Sequence, residues 1–129
     1  MADNGSGGVT PETIGGVTLG GGSTGRFVNN TVVRNTGDVF GGIRCAGMQA
    51  VVNTLAHGNR PLSMMSEYWG CMLDHSVEVD CMLDGMYRLP RMSACHDAGR
   101  SMGAPGEDIE GQGRPCGRGV DVGADEYCP

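Results

Sequence analysis

The sequence predicts an all-β chain in which a short solenoid of stacked coils is followed by an irregular C-terminal wrap, and three observations carry that expectation. First, Val28-Asn29-Asn30-Thr31-Val32-Val33-Arg34-Asn35 recurs as Val51-Val52-Asn53-Thr54-Leu55-Ala56-His57-Gly58-Asn59, with Asn30-Thr31 superposed on Asn53-Thr54 at an offset of 23 residues. Periods of about 20 to 50 residues mark solenoids, whose repeats bury an apolar face only by stacking on a neighbour. Second, Val28, Asn30 and Val32 alternate with period two, as do Val51, Asn53 and Leu55, which places each trio on one face of a strand. Third, 24 glycines against two Phe and one Trp suit a chain that turns often and stacks thin layers.

Residues 1–60 are read as coils. Gly15-Gly16-Val17 recurs as Gly41-Gly42-Ile43, and the difference in offset leaves three extra residues in the glycine-rich loop of the first copy. Stacking predicts Val28 over Val51, Asn30 over Asn53 and Val32 over Leu55. An interior Asn is tolerated because a ladder offers each amide a donor and an acceptor. The run Gly20-Gly21-Gly22-Ser23-Thr24-Gly25 lacks the lysine of a phosphate loop and reads as a turn between strands. Residues 61–129 are read as a last coil and a C-terminal cap of the same single domain, 1–129. Cys71-Met72-Leu73-Asp74 reappears as Cys81-Met82-Leu83-Asp84, too close for another coil, and from Pro90 onward Gly, Pro and charge dominate.

All nine basic residues are Arg, so no Schiff-base lysine, lysine base or lysine on a nucleotide phosphate operates here. A net charge of −6 argues against nucleic acid and against an anionic membrane surface. No apolar run reaches the roughly 20 residues that span a bilayer. The start, Met1-Ala2-Asp3-Asn4-Gly5, lacks a secretory signal, which leads us to expect a removed leader or an excised piece. Six cysteines at 45, 71, 81, 95, 116 and 128 fit disulfides better than zinc, since no pair has knuckle spacing. Sequence selects none of the fifteen pairings. We expect at least one bridge, with Cys95–Cys116 favoured as a closure of the tail.

The segments Met86-Tyr87-Arg88-Leu89, Ser93 through Gly99, Asp108-Ile109-Glu110-Gly111, Arg114-Pro115 and Asp121 through Glu126 follow the repeats in order. Together they resemble the last coils and tail of bacterial right-handed parallel β-helix, pectin-lyase-like proteins with a choice-of-anchor type C-terminal domain. The resemblance implies a right-handed parallel β-helix and a secreted or cell-surface protein. Ala94 and Gly113 stand where that pattern has Pro.

Three kinds of chemistry are weighed. A Cys95-His96-Asp97 nucleophile fails because adjacent side chains on an extended chain point to opposite faces. Asp97, Asp108, Glu110 and Asp121 offer hard oxygen ligands to calcium, while short acids in turns commonly serve backbone N–H groups instead. Arg34, Arg44, His57, Asp74 and His75 follow strand-like segments and form the candidate binding set, with Arg able to neutralise a uronate and His able to act as a base. Nine methionines show no repeated ligand spacing and read as filler. The expected function is a non-catalytic extracellular scaffold or binding module, for glycans or for self-association through the N-terminal end, where residues 1–13 make a poor apolar lid. The alternative is a carbohydrate-active enzyme, lyase or hydrolase, or a fragment of one. No cofactor other than calcium is expected.

Overall fold

The computed structural model describes residues 1–3, 14–22, 25–62 and 65–129. Ser23 and Thr24 of the glycine-rich run, Met64 and most of the 1–13 lid lie outside the described residues. The described chain is all-β, and it holds no helix long and apolar enough to cross a membrane.

Eight short strands follow one another: β1 (Val17–Leu19), β2 (Phe27–Val28), β3 (Thr31–Val33), β4 (Ile43–Cys45), β5 (Ala50–Val52), β6 (Leu55–His57), β7 (Tyr68–Trp69) and β8 (Met72–Asp74). Most are rich in the β-branched and aromatic residues that fit a pleated surface. They form three parallel sheets, β1-β4-β7, β2-β5-β8 and β3-β6, so each strand pairs with the one three places on. An isolated parallel bridge from Leu55 to Val77 extends the third sheet by one residue.

The register corrects the sequence alignment by one residue. Phe27 pairs with Val51, Val28 with Val52 and Thr31 with Leu55, an offset of 24 rather than 23. The stacked amides are therefore Asn29 and Asn53, with Asn53 Nδ2 donating to Asn29 Oδ1 at 3.1 Å. The cause lies in the backbone. Asn29 and Asn53 hold the left-handed corner between strands, at φ of 51° and 47°, a conformation Asn tolerates better than most residues. Asn30 is half-buried, and its amide only reaches back to Val28 O, at 2.9 Å. Val17 does pair with Ile43, so the first copy holds two extra residues rather than three.

A second ladder was not anticipated. Asn35 Nδ2 and its backbone N–H both donate to Asn59 Oδ1 at 2.9 Å, and Asn59 Nδ2 donates to Val32 O and to Glu67 Oε2 at 2.8 Å. At the start of a layer the successive chain segments approach so closely that only glycine fits: a Cβ on Gly42 would run into the backbone carbonyl of Glu67.

Two apolar clusters share the β3-β6 sheet. Val32, Ile43, Cys45, Val51, Ala56 and Tyr68 fill the space between the sheets. Val33, Leu55, Cys81, Leu89, Cys95 and Val122 pack on the other face, under the C-terminal segment. With both faces covered, Thr31–Val33 is buried along its whole length.

Three disulfides join all six cysteines: Cys45–Cys71, Cys81–Cys95 and Cys116–Cys128. The expected Cys95–Cys116 bridge is not among them, because Cys95 and Cys81 are buried together beneath Leu55 while Cys116 lies beside the last residues. In the chain-entropy account, closing loops of this size contributes roughly 3 kcal/mol each.

The wrap is organised by acids. Arg114 and Glu126 form an almost fully buried ion pair at 2.8 Å. Arg114 also donates to the carbonyls of Asp121, Gly123 and Ala124, while Glu126 accepts the N–H groups of Cys116 and Asp121. Gly123 N–H bonds Asn53 O, and Asn29 Nδ2 reaches Asp121 O and Gly123 O, which ties the wrap to the strand corners. At the other extremity Ala2 bridges Val33 in parallel, flanked by bonds from Val33 N–H to Met1 O and from Asp3 N–H to Val33 O.

Candidate functional site

The five binding candidates fall into three separate sets of contacts. Arg34 and His57 share a cleft of about 660 Å³ lined also by Leu55, Asp80, Cys81 and Met82. They come together because β3 and β6 are in register and Val33 pairs with His57. Arg34 is already engaged. Its Nε and Nη2 hold Asp3 Oδ1 and Oδ2 at 3.0 and 3.1 Å, Nη2 donates to Tyr87 Oη at 2.7 Å, and the guanidinium lies 4.9 Å from the Tyr87 ring centre. Tyr87 Oη also contacts Asp3 Oδ2. These partners, Arg34 foremost, hold the Asp3 carboxyl down to about 2. His57 Nδ1 lies 3.0 Å from Glu78 O.

Asp74 and His75 make the second set. His75 turns the chain after β8 at a φ of 52°, one layer beyond Asn53. Its Nδ1 is 2.7 Å from Asp74 Oδ1, and Asp74 Oδ2 pairs with Arg100 Nη1. Hydrogen bonding from His75, then from Arg100, keeps the Asp74 carboxyl below the usual carboxylate range. The backbone of Arg100 clamps the Asn53 amide from both sides, so the pair is anchored to the ladder. Arg44, on β4, is the third set, with its guanidinium 5.0 Å from the Trp69 ring centre.

The calcium candidates also separate. Asp97 and Asp121, with His96, bring one ligand atom each to within 4.8 Å of one another. Their oxygens are occupied by backbone donors: Asp121 accepts from Asp97 N–H at 2.6 Å and Tyr127 N–H at 2.7 Å, and Asp97 accepts from Gly119 N–H at 2.8 Å. The Gly119 bond is the main reason the Asp97 carboxyl is lowered. Asp108 accepts N–H groups from Glu110, Gln112 and Glu126, and Glu110 pairs with Arg88 at 2.5 Å, so neither belongs to that group.

Sequence reasoning missed a cleft of about 320 Å³ lined by Met1, Ala2, Thr31, Tyr87, Ile109 and Asp125 among others. Asp125 accepts Leu89 N–H at 2.7 Å, and burial pushes its carboxyl upward. The exposed Met86 and Ile109 at its rim were the available signal. Comparison with protein-family models, curated proteins and solved structures finds no match for this chain.

Proposed function

We propose that this protein is a non-catalytic extracellular scaffold, built as a short right-handed parallel β-helix of the pectin-lyase-like kind. The observation that carries this reading is the layered pairing of β1-β4-β7, β2-β5-β8 and β3-β6, with an Asn ladder at the corner, against candidate catalytic side chains that are committed elsewhere. Arg34 would have to leave Asp3 and Tyr87 to neutralise a uronate, and Asp74 is held by His75 and Arg100. Three disulfides support secretion or surface display, since such bridges persist in oxidising compartments.

Self-association belongs to this reading. At the N-terminal end β3 is already paired by Ala2 and the outward carbonyl of β2, Val28 O, takes the Asn30 amide, which among the described residues leaves β1 for a partner there. Calcium at His96, Asp97 and Asp121 is the rival to a turn-forming role for those acids.

Incubation with uronate polymers, followed by the ultraviolet absorbance of an unsaturated product, tests the reading. A flat trace is expected. A rising trace that His57→Ala abolishes would make the chain a lyase, with His57 as its base.

A further inference from the structure

We propose that the outer edge of β8 is a two-fold docking surface for a second copy of this chain, centred on Leu73. The inference rests on the self-associating scaffold reading but moves the contact to the end opposite the N-terminus. Met72 N–H donates to Gln49 O, and Asp74 O accepts from Asn53 N–H, both at 3.0 Å, so these two residues face β5. Successive residues of a strand alternate sides, and Leu73, between them, directs both its N–H and its C=O away from the sheet. β8 ends the sheet β2-β5-β8, and among the described residues no strand lies on that outer side.

Three other strand edges are blunted from within, as native edges usually are. Ala2 pairs with β3. Asn30 Nδ2 donates to Val28 O on the outer side of β2 at 2.9 Å, and Ser66 Oγ receives the Tyr68 N–H of β7 at 3.1 Å. Around Leu73 the surface is apolar instead: Trp69, Met72 and Leu73 are 40%, 52% and 47% exposed. The adjoining carboxylate, Asp74, is paired with Arg100 and His75, and the Arg44 guanidinium lies over the Trp69 ring.

Why a second copy fits follows from the hydrogen-bond pattern. A residue presenting one outward N–H and one outward C=O is matched by the same residue of an antiparallel strand, the two exchanging both bonds about a two-fold axis. Such isologous contacts close after two copies. Leu73 also stacks below Val51 and Phe27, so its mate would cap the open end of the interior core.

Light scattering across a concentration series, with amide exchange of Leu73 followed in the same samples, tests this. The mass should double, and Leu73 exchange should slow as it does. Leu73→Arg should remain at monomer mass, and Thr18→Arg, on β1, should still dimerise. If Leu73→Arg fails to fold, the exchange of Leu73 in the unsubstituted chain decides. A monomer at every concentration overturns both the docking and the self-association it rests on. Association that Thr18→Arg abolishes and Leu73→Arg spares, or that leaves Leu73 exchange unchanged, overturns the β8 edge while self-association stands.

Discussion

Replacing Asn53 with Leu exchanges a polar side chain for an apolar one at a position with no solvent exposure, yet it should unfold the protein more readily. The Asn53 amide donates to Asn29 Oδ1 at 3.1 Å and to Arg100 O at 2.7 Å, and accepts from Arg100 N–H at 2.8 Å. Leucine satisfies none of these. Each polar group left without a partner costs about 1 to 3 kcal/mol, and the half-buried Arg100 backbone sits at the low end of that range. Leucine must also adopt a φ near 47°, a left-handed conformation that costs a branched residue roughly 1 to 2 kcal/mol. Added apolar burial returns about 1 kcal/mol. The net expectation is a loss of about 4 kcal/mol, which for a chain of this length lowers the melting temperature by roughly 12 to 20 °C. Asn30→Leu is the control. Its amide serves only the carbonyl of Val28, so the loss should stay below about 1 kcal/mol. Guanidinium titration of both variants with disulfides intact measures the difference. Equal losses at the two positions, or a neutral Asn53→Leu, would refute the ladder and the register behind it.

Two further outcomes follow from the wrap and the termini. Arg114→Met leaves Glu126 buried without its cation and strips three carbonyls of a donor, so it should cost about 3 to 5 kcal/mol, whereas exposed Arg91→Met should cost almost nothing; comparable melting temperatures for the two variants would contradict this. Asp3, Asp74, Asp84 and Asp97 all have folded carboxyls below their unfolded values, so their stabilisation is present above about pH 4 and is lost as pH falls through the folded values, down to about 2 for Asp3. Asp125, raised by burial, works in the opposite sense, favouring the fold at low pH and losing that contribution as pH rises through its folded value. Four lowered groups against one raised predict a melting temperature that declines between about pH 4 and 2, modestly because these groups are solvent-screened, and an Asp3→Asn variant with a shallower decline. A melting temperature flat to pH 2 would remove these contacts from the account.

The layered β organisation was legible because period-two valines recur, and because Gly16-Val17 and Gly42-Ile43 mark the start of equivalent layers. The register was not. Asn29 and Asn30 are adjacent, and matching Asn-Thr pairs by eye favours Asn30, whereas the backbone selects the residue that must turn left-handed. A check was present in the sequence, since Asn35 and Asn59 end the two copies at the true offset of 24. The disulfide partners could not be read, because Cys81 and Cys95 meet only once the wrap has packed on β6. The candidate residues were chosen as polar groups after strand-like segments, and that pattern could not foresee Asp3, Tyr87 and Arg100 as the partners of Arg34 and Asp74. Those partners lie far along the chain and leave no local pattern.

The central claim is that the strands stack in parallel layers, with Val52 24 residues beyond its partner Val28 and Asp74 22 residues beyond its partner Val52 at the Asn corner. Scalar couplings across hydrogen bonds, measured by NMR on isotope-labelled protein, test it directly. The account predicts couplings from Asn29 N–H to the Val52 carbonyl, from Asn53 N–H to the Asp74 carbonyl and from Val17 N–H to the Gly42 carbonyl. Coupling of Asn30 N–H to the Val52 carbonyl would restore the 23-residue register, and antiparallel partners for these amides would contradict the stack itself.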